Sequence, residues 1–302
     1  MTHFGAKDRA ACKIRPCGWL VGYQEFSKLV REAQLNPDWY VRVRFNQMAI
    51  DGTVFPADAA TIDKPILIRD LLNGVDVQYD TPDISQYDRV IDATGKGIHL
   101  PPRHNSIVEI TQVRCRSYGH TYPEGHVGTG SASYIIPLGD GTMHVGYGSL
   151  DTYADAMSEV KKLAGSSDVQ CGCKGYLWMG GPTSVVTHNN VVGVGESIGL
   201  VDPLSGMGIT PAMDSARALV YFWNDLHSYE IYILRKYHYM TNRAKVLRGE
   251  TSLLNKAGLL ASYREASNLM GLKVGVGALV SMMKTIGGPH KTAKGNGRRQ
   301  YG

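Results

Sequence analysis

The stretch of this chain best equipped for chemistry runs from Val191 to Ala212. Five glycines (Gly193, Gly195, Gly199, Gly206, Gly208) and two prolines (Pro203, Pro211) there join a valine-rich run to an apolar-periodic one. A Gly-rich loop that feeds a helix N-terminus presents unpaired backbone N–H groups and the positive end of the helix dipole. Such a place suits phosphate or another electron-rich group, without saying which. A weaker signal lies upstream. Val90-Ile91 looks like the end of a buried parallel strand, and Asp92-Ala93-Thr94-Gly95 is the small-residue turn that follows it. Open α/β sheets bind ligands at such strand ends. The five cysteines (Cys12, Cys17, Cys115, Cys171, Cys173) form no even framework and predict thiols in a reducing compartment. Cys171-Gly172-Cys173 has no second Cys or His pair at ligand spacing, and His120, His126 and His144 are scattered, so ordinary polar placement is favoured over a metal.

The elements that must position these residues follow from periodicity. Leu20, Tyr23, Phe26, Leu29 and Val30 predict a helix over 19–34, broken by Asn36-Pro37. Val41, Val43 and Phe45 alternate with arginines as in a half-buried strand, and Asp51-Gly52 marks a hairpin turn. A short apolar helix over 66–72 closes at Asn73-Gly74. Strands are expected over 107–116, 133–137 and 143–148, with a turn at Gly139-Asp140-Gly141. A helix over 153–163 stops at Gly165, and a β-rich run over 185–194 is interrupted by Asn189-Asn190. Leu219, Phe222, Trp223 and Leu226 mark the helix after the glycine loop, and 229–283 is mostly helical by propensity.

At 302 residues the chain suits about two domains. Lys plus Arg number 32 against 27 Asp plus Glu, a net charge of +5, and Lys291, Lys294, Arg298 and Arg299 of the Gly-punctuated tail carry much of it. The body is thus nearly neutral, which argues against a nucleic-acid partner. A composition of 43% hydrophobic and 20% charged residues excludes a disordered chain. Met1-Thr2-His3-Phe4 opens no apolar signal region, which predicts a cytoplasmic protein. The apolar run Val274 to Met283, flanked by Lys273 and Lys284, is too short to span a bilayer. A helix lying on a membrane surface and a buried core helix both fit it.

Taken in order, Asp92-Ala93-Thr94-Gly95, Tyr134-Ile135-Ile136-Pro137, Gly195-Glu196 and Pro203-x-x-Gly206-x-Gly208-Ile209-x-x-Ala212 resemble the geranylgeranyl reductase family of FAD-dependent prenyl reductases, within the p-hydroxybenzoate hydroxylase-like flavoprotein group. Cys17-Gly18 resembles a Cys-Gly pair of the same family. The likeness covers roughly residues 12–225. It implies an α/β protein with a discontinuous FAD-binding domain of Rossmann-like type (1–36, 61–105, 183–225), a β-rich substrate domain (37–60, 106–182) and a C-terminal helical region (226–302). It further implies FAD as cofactor, with Asp92, Thr94 and Gly95 near the pyrophosphate and Gly195 and Glu196 on the ribityl chain. The loop Pro203, Gly206, Met207, Gly208, Ile209 would lie against the isoalloxazine ring, with the helix tip at its N1 and O2 edge. Cys17 would reach the substrate cavity as the catalytic candidate, and Tyr134 and Pro137 would line it. The implied reaction saturates C=C bonds of a prenyl lipid, with ferredoxin, coenzyme F420 or NADPH as electron donor and a membrane surface as a possible contact.

Three departures stand out. Glu196 replaces the family's Asp, and Lys64 stands near a family Arg. No G-x-G-x-x-G turn precedes Cys17, so about thirty residues of βα unit are missing and Met1 is expected to be an internal start. A flavin monooxygenase, or a non-catalytic flavoprotein remnant, is the alternative. With tryptophans only at 19, 39, 178 and 223, the chain has no Trp-rich halogenase motif.

Overall fold

A computed structural model describes residues 2–4, 16–79, 82–95, 97–101, 107–151, 155–165, 167–250, 252, 258 and 263–273. The chain begins with β1 (Thr2–Phe4), β2 (Leu20–Gly22), α1 (Tyr23–Glu32), β3 (Val41–Ile50), β4 (Thr53–Ile62), α2 (Lys64–Leu71), β5 (Asp76–Gln78) and β6 (Val90–Asp92). It continues through β7 (Ile107–Arg116), β8 (Glu124–Gly128), β9 (Ser131–Pro137), β10 (Thr142–Ser149), α3 (Ala156–Ala164) and β11 (Val169–Trp178). It closes with β12 (Thr187–His188), β13 (Val191–Gly193), α4 (Ile209–Tyr221), α5 (Leu226–Lys236), α6 (His238–Leu247) and α7 (Tyr263–Met270). The expected α/β class is what the structure shows.

Eight strands form one mixed sheet in the order β11-β7-β10-β9-β8-β3-β4-β2. The β3–β4 hairpin turns at Asp51 (φ 48°) and Gly52 (φ 78°), the doubly positive pair that an Asp-Gly hairpin turn requires. One face of the sheet is sealed by α3, whose Val160 and Ala164 pack on Val113, Cys115, Ile135, Met143 and Val145. Three-stranded β12-β13-β6 stands apart, with β13 and β6 parallel and Gly193 opposite Asp92. Its core joins Val191, Val192, Ile198 and Leu200 to Leu219 of α4, Tyr229 and Ile233 of α5 and Met240 of α6.

Several sequence expectations need correction. The first helix starts at Tyr23, because Leu20–Gly22 is drawn into backbone pairing with Thr61, Ala60 and Ala59 of β4. The periodicity of Leu219, Phe222, Trp223 and Leu226 straddles two helices. The first ends at Tyr221, and the Asp225 carboxylate accepts from Ser228 N–H to start the second. Ile91 is 38% exposed, so β6 is less buried than its sequence suggested. β11 carries no expected pattern and is defined by its pairing with β7. Cys171 is disulfide-bonded, against the expectation of thiols throughout, whereas Cys17 and Cys115 are free. Residues 274–283, the basic tail and Cys12 lie outside the described residues. Among the described residues no helix is long and apolar enough to cross a membrane, and no His/Cys/Asp/Glu group could hold a metal.

Candidate functional site

The two motif turns meet at the C-terminal ends of neighbouring parallel strands. Val194 N–H donates to the Asp92 carbonyl at 3.1 Å, and the Ser197 hydroxyl donates to the carbonyls of Asp92 and Val194. The Asp92 carboxylate is buried and points inward. It accepts from Thr94 N–H (3.0 Å), the Thr94 hydroxyl (2.8 Å) and His99 N–H (3.0 Å). Asp92 and Thr94 therefore shape the turn with their own polar atoms. Glu196 folds across it: its Oε1 accepts Trp178 N–H at 3.1 Å, and its Oε2 would sit 3.2 Å from a Cβ on Gly95. Gly195 is held by function of space. Its φ is +63°, a Cβ there would come within 2.9 Å of Ala212, and its N–H donates to the Ser215 hydroxyl of α4.

From there the chain enters the loop over residues 202–208. Asp202, fully buried, organises it: Oδ1 accepts from Leu204 N–H (3.1 Å), Ser205 N–H (2.8 Å) and the Ser205 hydroxyl (2.9 Å). Gly206 N–H returns to the Asp202 carbonyl, and Asp202 N–H donates to the Met207 carbonyl. The loop ends at Gly208, the N-cap of α4, where no side chain caps the helix. Among the described residues the N–H groups of Gly208, Ile209 and Thr210 meet no acceptor, and the helix tip there carries the positive end of the dipole. Gly206 is exposed at φ +68°, with nothing within 4 Å of where a Cβ would stand.

The segment Pro16–Trp19 crosses the sheet face opposite α3. Pro16 lies 3.2 Å from a Cβ placed on Gly175, and a Gly18 Cβ would strike Ile136 at 2.4 Å. Cys17 N–H donates to the Gln112 side-chain carbonyl at 3.1 Å, and the Tyr134 hydroxyl donates to the same oxygen at 2.5 Å. The register aligns Cys173, Gln112, Gly146 and Tyr134 across four strands. The Tyr134 ring lies over Gly146, where a Cβ would meet it at 2.1 Å. Desolvation first, then Cys17 and Cys173, hold the Tyr134 phenol well above its usual pKa of 10. Ile209 and Met213 of α4 pack on the same cluster as Cys17 and Trp19. Cys17 thus shares a cluster with Ile209 and Met213 of α4 and an acceptor with Tyr134, while Gly95, Gly195 and Glu196 gather at the strand ends. Pro137 stands apart. Three positions along β9 from Tyr134, it falls on the α3 face, opposite Met143. Lys64 opens α2, after the Asp63 cap.

No family model matches the chain. Over 110 residues it is 32% identical to menaquinone reductase of Mycolicibacterium smegmatis (strain ATCC 700084 / mc(2)155), covering 32% of this chain and 26% of that protein. The match thus spans about a quarter of that relative's length. Among solved structures, a geranylgeranyl bacteriochlorophyll reductase-like protein of Thermoplasma acidophilum superposes with a TM-score of 0.66 at 13% identity, over 94% of this chain and 89% of that one. The chain shares that protein's fold. Klebsiella pneumoniae HpxO, complexed with FAD and uric acid, gives 0.55 at 14% identity over 90% and 88% of the two chains. The flavin-dependent brominase Bmp2 gives 0.60 at 12% over 90% and 89%.

The residues present fit one half of an FAD. The open side of Gly206 and the bare N–H groups of Gly208–Thr210 suit a flat, electron-rich ring edge. For the ADP half the sequence offers no G-x-G-x-x-G turn, and the polar atoms of Asp92 and Thr94 are spent within their own turn. Residue-type reasoning missed Gln112, Asp202 and Arg243. A signal for the last was available: Met240, Arg243, Ala244 and Leu247 share one helical face, and an arginine among core positions requires a buried counter-charge.

Proposed function

We propose that this chain is an FAD-dependent oxidoreductase that saturates C=C bonds of a prenyl chain. The carrying observation is the uncapped tip of α4 behind the open Gly206 turn, in a fold shared with flavoproteins. Reduced FAD, when bound, supplies hydride to a C=C bond. The N–H groups of Gly208, Ile209 and Thr210 would stabilise the negative charge that reduction places on the ring's pyrimidine edge. Glu196 would bind on the ribityl side, while its anchoring to Trp178 N–H keeps its carboxylate beside Gly95.

The prenyl substrate is supported by chemistry as well as by the relatives' names. The sheet face below Pro16–Trp19 is closely covered and largely apolar around Ala132: the Tyr134 ring lies over Gly146, Val108 over Gly148 and Pro16 over Gly175. Cys17 and Tyr134 supply the protic groups on that face, joined through Gln112. The phenol, held protonated by burial, can donate a proton but not act as an ionised base near neutral pH. The electron donor is proposed to be ferredoxin, coenzyme F420 or NADPH, with a membrane surface presenting the lipid.

The likeness to HpxO and the brominase keeps oxygen chemistry as the competing use of the fold. Anaerobic incubation of the FAD-loaded, dithionite-reduced protein with menaquinone or a geranylgeranyl lipid distinguishes them. The proposal expects two hydrogens added per double bond, read by mass spectrometry. No reduction anaerobically, with oxygen incorporated in air, would establish the competing chemistry instead.

A further inference from the structure

Helix α6 reaches the loop over residues 202–208 from outside. Arg243, with a side chain only 9% exposed, sets its Nε 2.7 Å from Asp202 Oδ2, and its terminal nitrogen donates to Oδ1 at 3.0 Å. The Asp202 side chain is 0% exposed, so the ion pair is buried; one hydrogen bond, to Oδ1, joins it, while Nε and Oδ2 lie close without one. The same Oδ1 takes the three donors that give the loop its shape. One turn further along α6, Val246 and Leu247 pack on Val201 and Leu204 of the loop and on Val108 of the large sheet. Leu247 also accepts Gly130 N–H, from the β8–β9 turn, at 2.8 Å. Burial raises the pKa of the neighbouring Tyr239 phenol, and Asp202 raises it further, so Tyr239 stays neutral and brings no third charge.

We propose that Arg243, acting through Asp202, is a positioning residue for the loop that presents the α4 tip, and that it neutralises the carboxylate buried beneath that loop. The proposal rests on the FAD assignment for its electrostatic half and on the loop geometry alone for the other. An uncompensated buried charge acts over distance in a low-dielectric interior. Arg243→Gln therefore leaves a net negative charge beside a ring edge that becomes more negative on reduction. Asp202→Asn leaves a net positive one.

The test uses the full chain with FAD bound. The flavin midpoint potential is expected to fall in Arg243→Gln, to rise in Asp202→Asn, and to return near wild type in the double variant. A merely structural role would not give shifts of opposite sign, so shifts of one sign, or none, overturn the proposal. Amide hydrogen exchange without FAD covers the geometric half. Exchange at Leu204 and Ser205 should quicken at least tenfold in Arg243→Gln, and unchanged exchange there would refute the positioning role. Should Arg243→Gln not fold, Arg243→Lys keeps the charge but loses the guanidinium nitrogen that donates to Oδ1. It is expected to retain the potential while the two amides still exchange faster, and exchange as slow as wild type overturns the proposal. If the wild type binds no FAD, the cofactor assignment fails, and the exchange experiment still decides whether Arg243 sets the loop.

Discussion

Tyr134 can lie flat across the sheet only because the residue beside it on β10 has no side chain. Gly146→Ala would drive a methyl into the ring, where the nearest ring atom would stand 2.1 Å away. Overpacking of this kind costs about 1–3 kcal/mol. Urea unfolding should show that loss when Gly146→Ala is made in wild type and much less of it when it is made in Tyr134→Ala, because the two residues are in contact. An equal loss from the alanine in both backgrounds would refute the contact. His144, on the same strand, is fully buried against Trp19, with ring centroids 4.9 Å apart. Its pKa is pushed down to about 4, first by burial and then by Arg114, and neither ring nitrogen has a hydrogen-bond partner among the described residues. The folded value lies below the ordinary 6.5, so between those limits the unfolded chain binds more protons and stability rises with pH. Across that window the term is worth roughly 3 kcal/mol. In His144→Gln, the stability–pH slope between pH 4 and 6.5 should flatten; a slope equal to wild type would contradict the assignment. No part of this was legible in the sequence, where His144 was one of several scattered histidines. Its burial depends on which sheet face the Pro16–Trp19 segment crosses.

Among the elements, the α4–α5 corner depends on one carboxylate. Asp214 is 4% exposed and accepts from Arg217, Lys236 and the hydroxyls of Tyr232 and Tyr237. Burial alone would raise its pKa, yet the donors prevail and hold it below the usual value. Asp214→Ala would leave the buried Tyr237 hydroxyl without its acceptor, a loss of about 1–3 kcal/mol, while Lys236 is exposed enough to turn to water. Thermal unfolding should register it as a clear drop in Tm, and an unchanged Tm would mean the network contributes little. Element boundaries were legible at the Gly165 stop of α3 and at the Asp51-Gly52 turn, whereas the Asp155 and Asp225 caps were not read as helix starts. They were not legible where pairing decides. Leu20–Gly22 has helical spacing but gains backbone partners from β4, and Cys171-Gly172-Cys173-Lys174-Gly175 has no alternation yet is fixed as a strand by β7.

Over the whole molecule, the glycine loop and its helix were visible in the sequence because they depend on local chemistry. Positive φ selects glycine, and Asp202-x-x-Ser205 closes its own turn. What Arg243 pairs with and what the Gln112 oxygen accepts were invisible, because those partners lie 41 and 95 residues away. The central claim, that a flavin edge sits beside Gly206 at the α4 tip, has a built-in control. Gly74 shares the backbone of Gly206, with φ +78° and open space at its Cβ, but closes α2 in a different turn. Alanine at either position should cost about 1 kcal/mol of stability, the strain of a left-handed residue. The most direct measurement is a titration of wild type, Gly206→Ala and Gly74→Ala with FAD, followed by the flavin's visible absorption and fluorescence. The account predicts saturable binding by wild type and Gly74→Ala, and about tenfold weaker binding by Gly206→Ala. Free-flavin spectra throughout, or equal affinity in the two alanine variants, would contradict it.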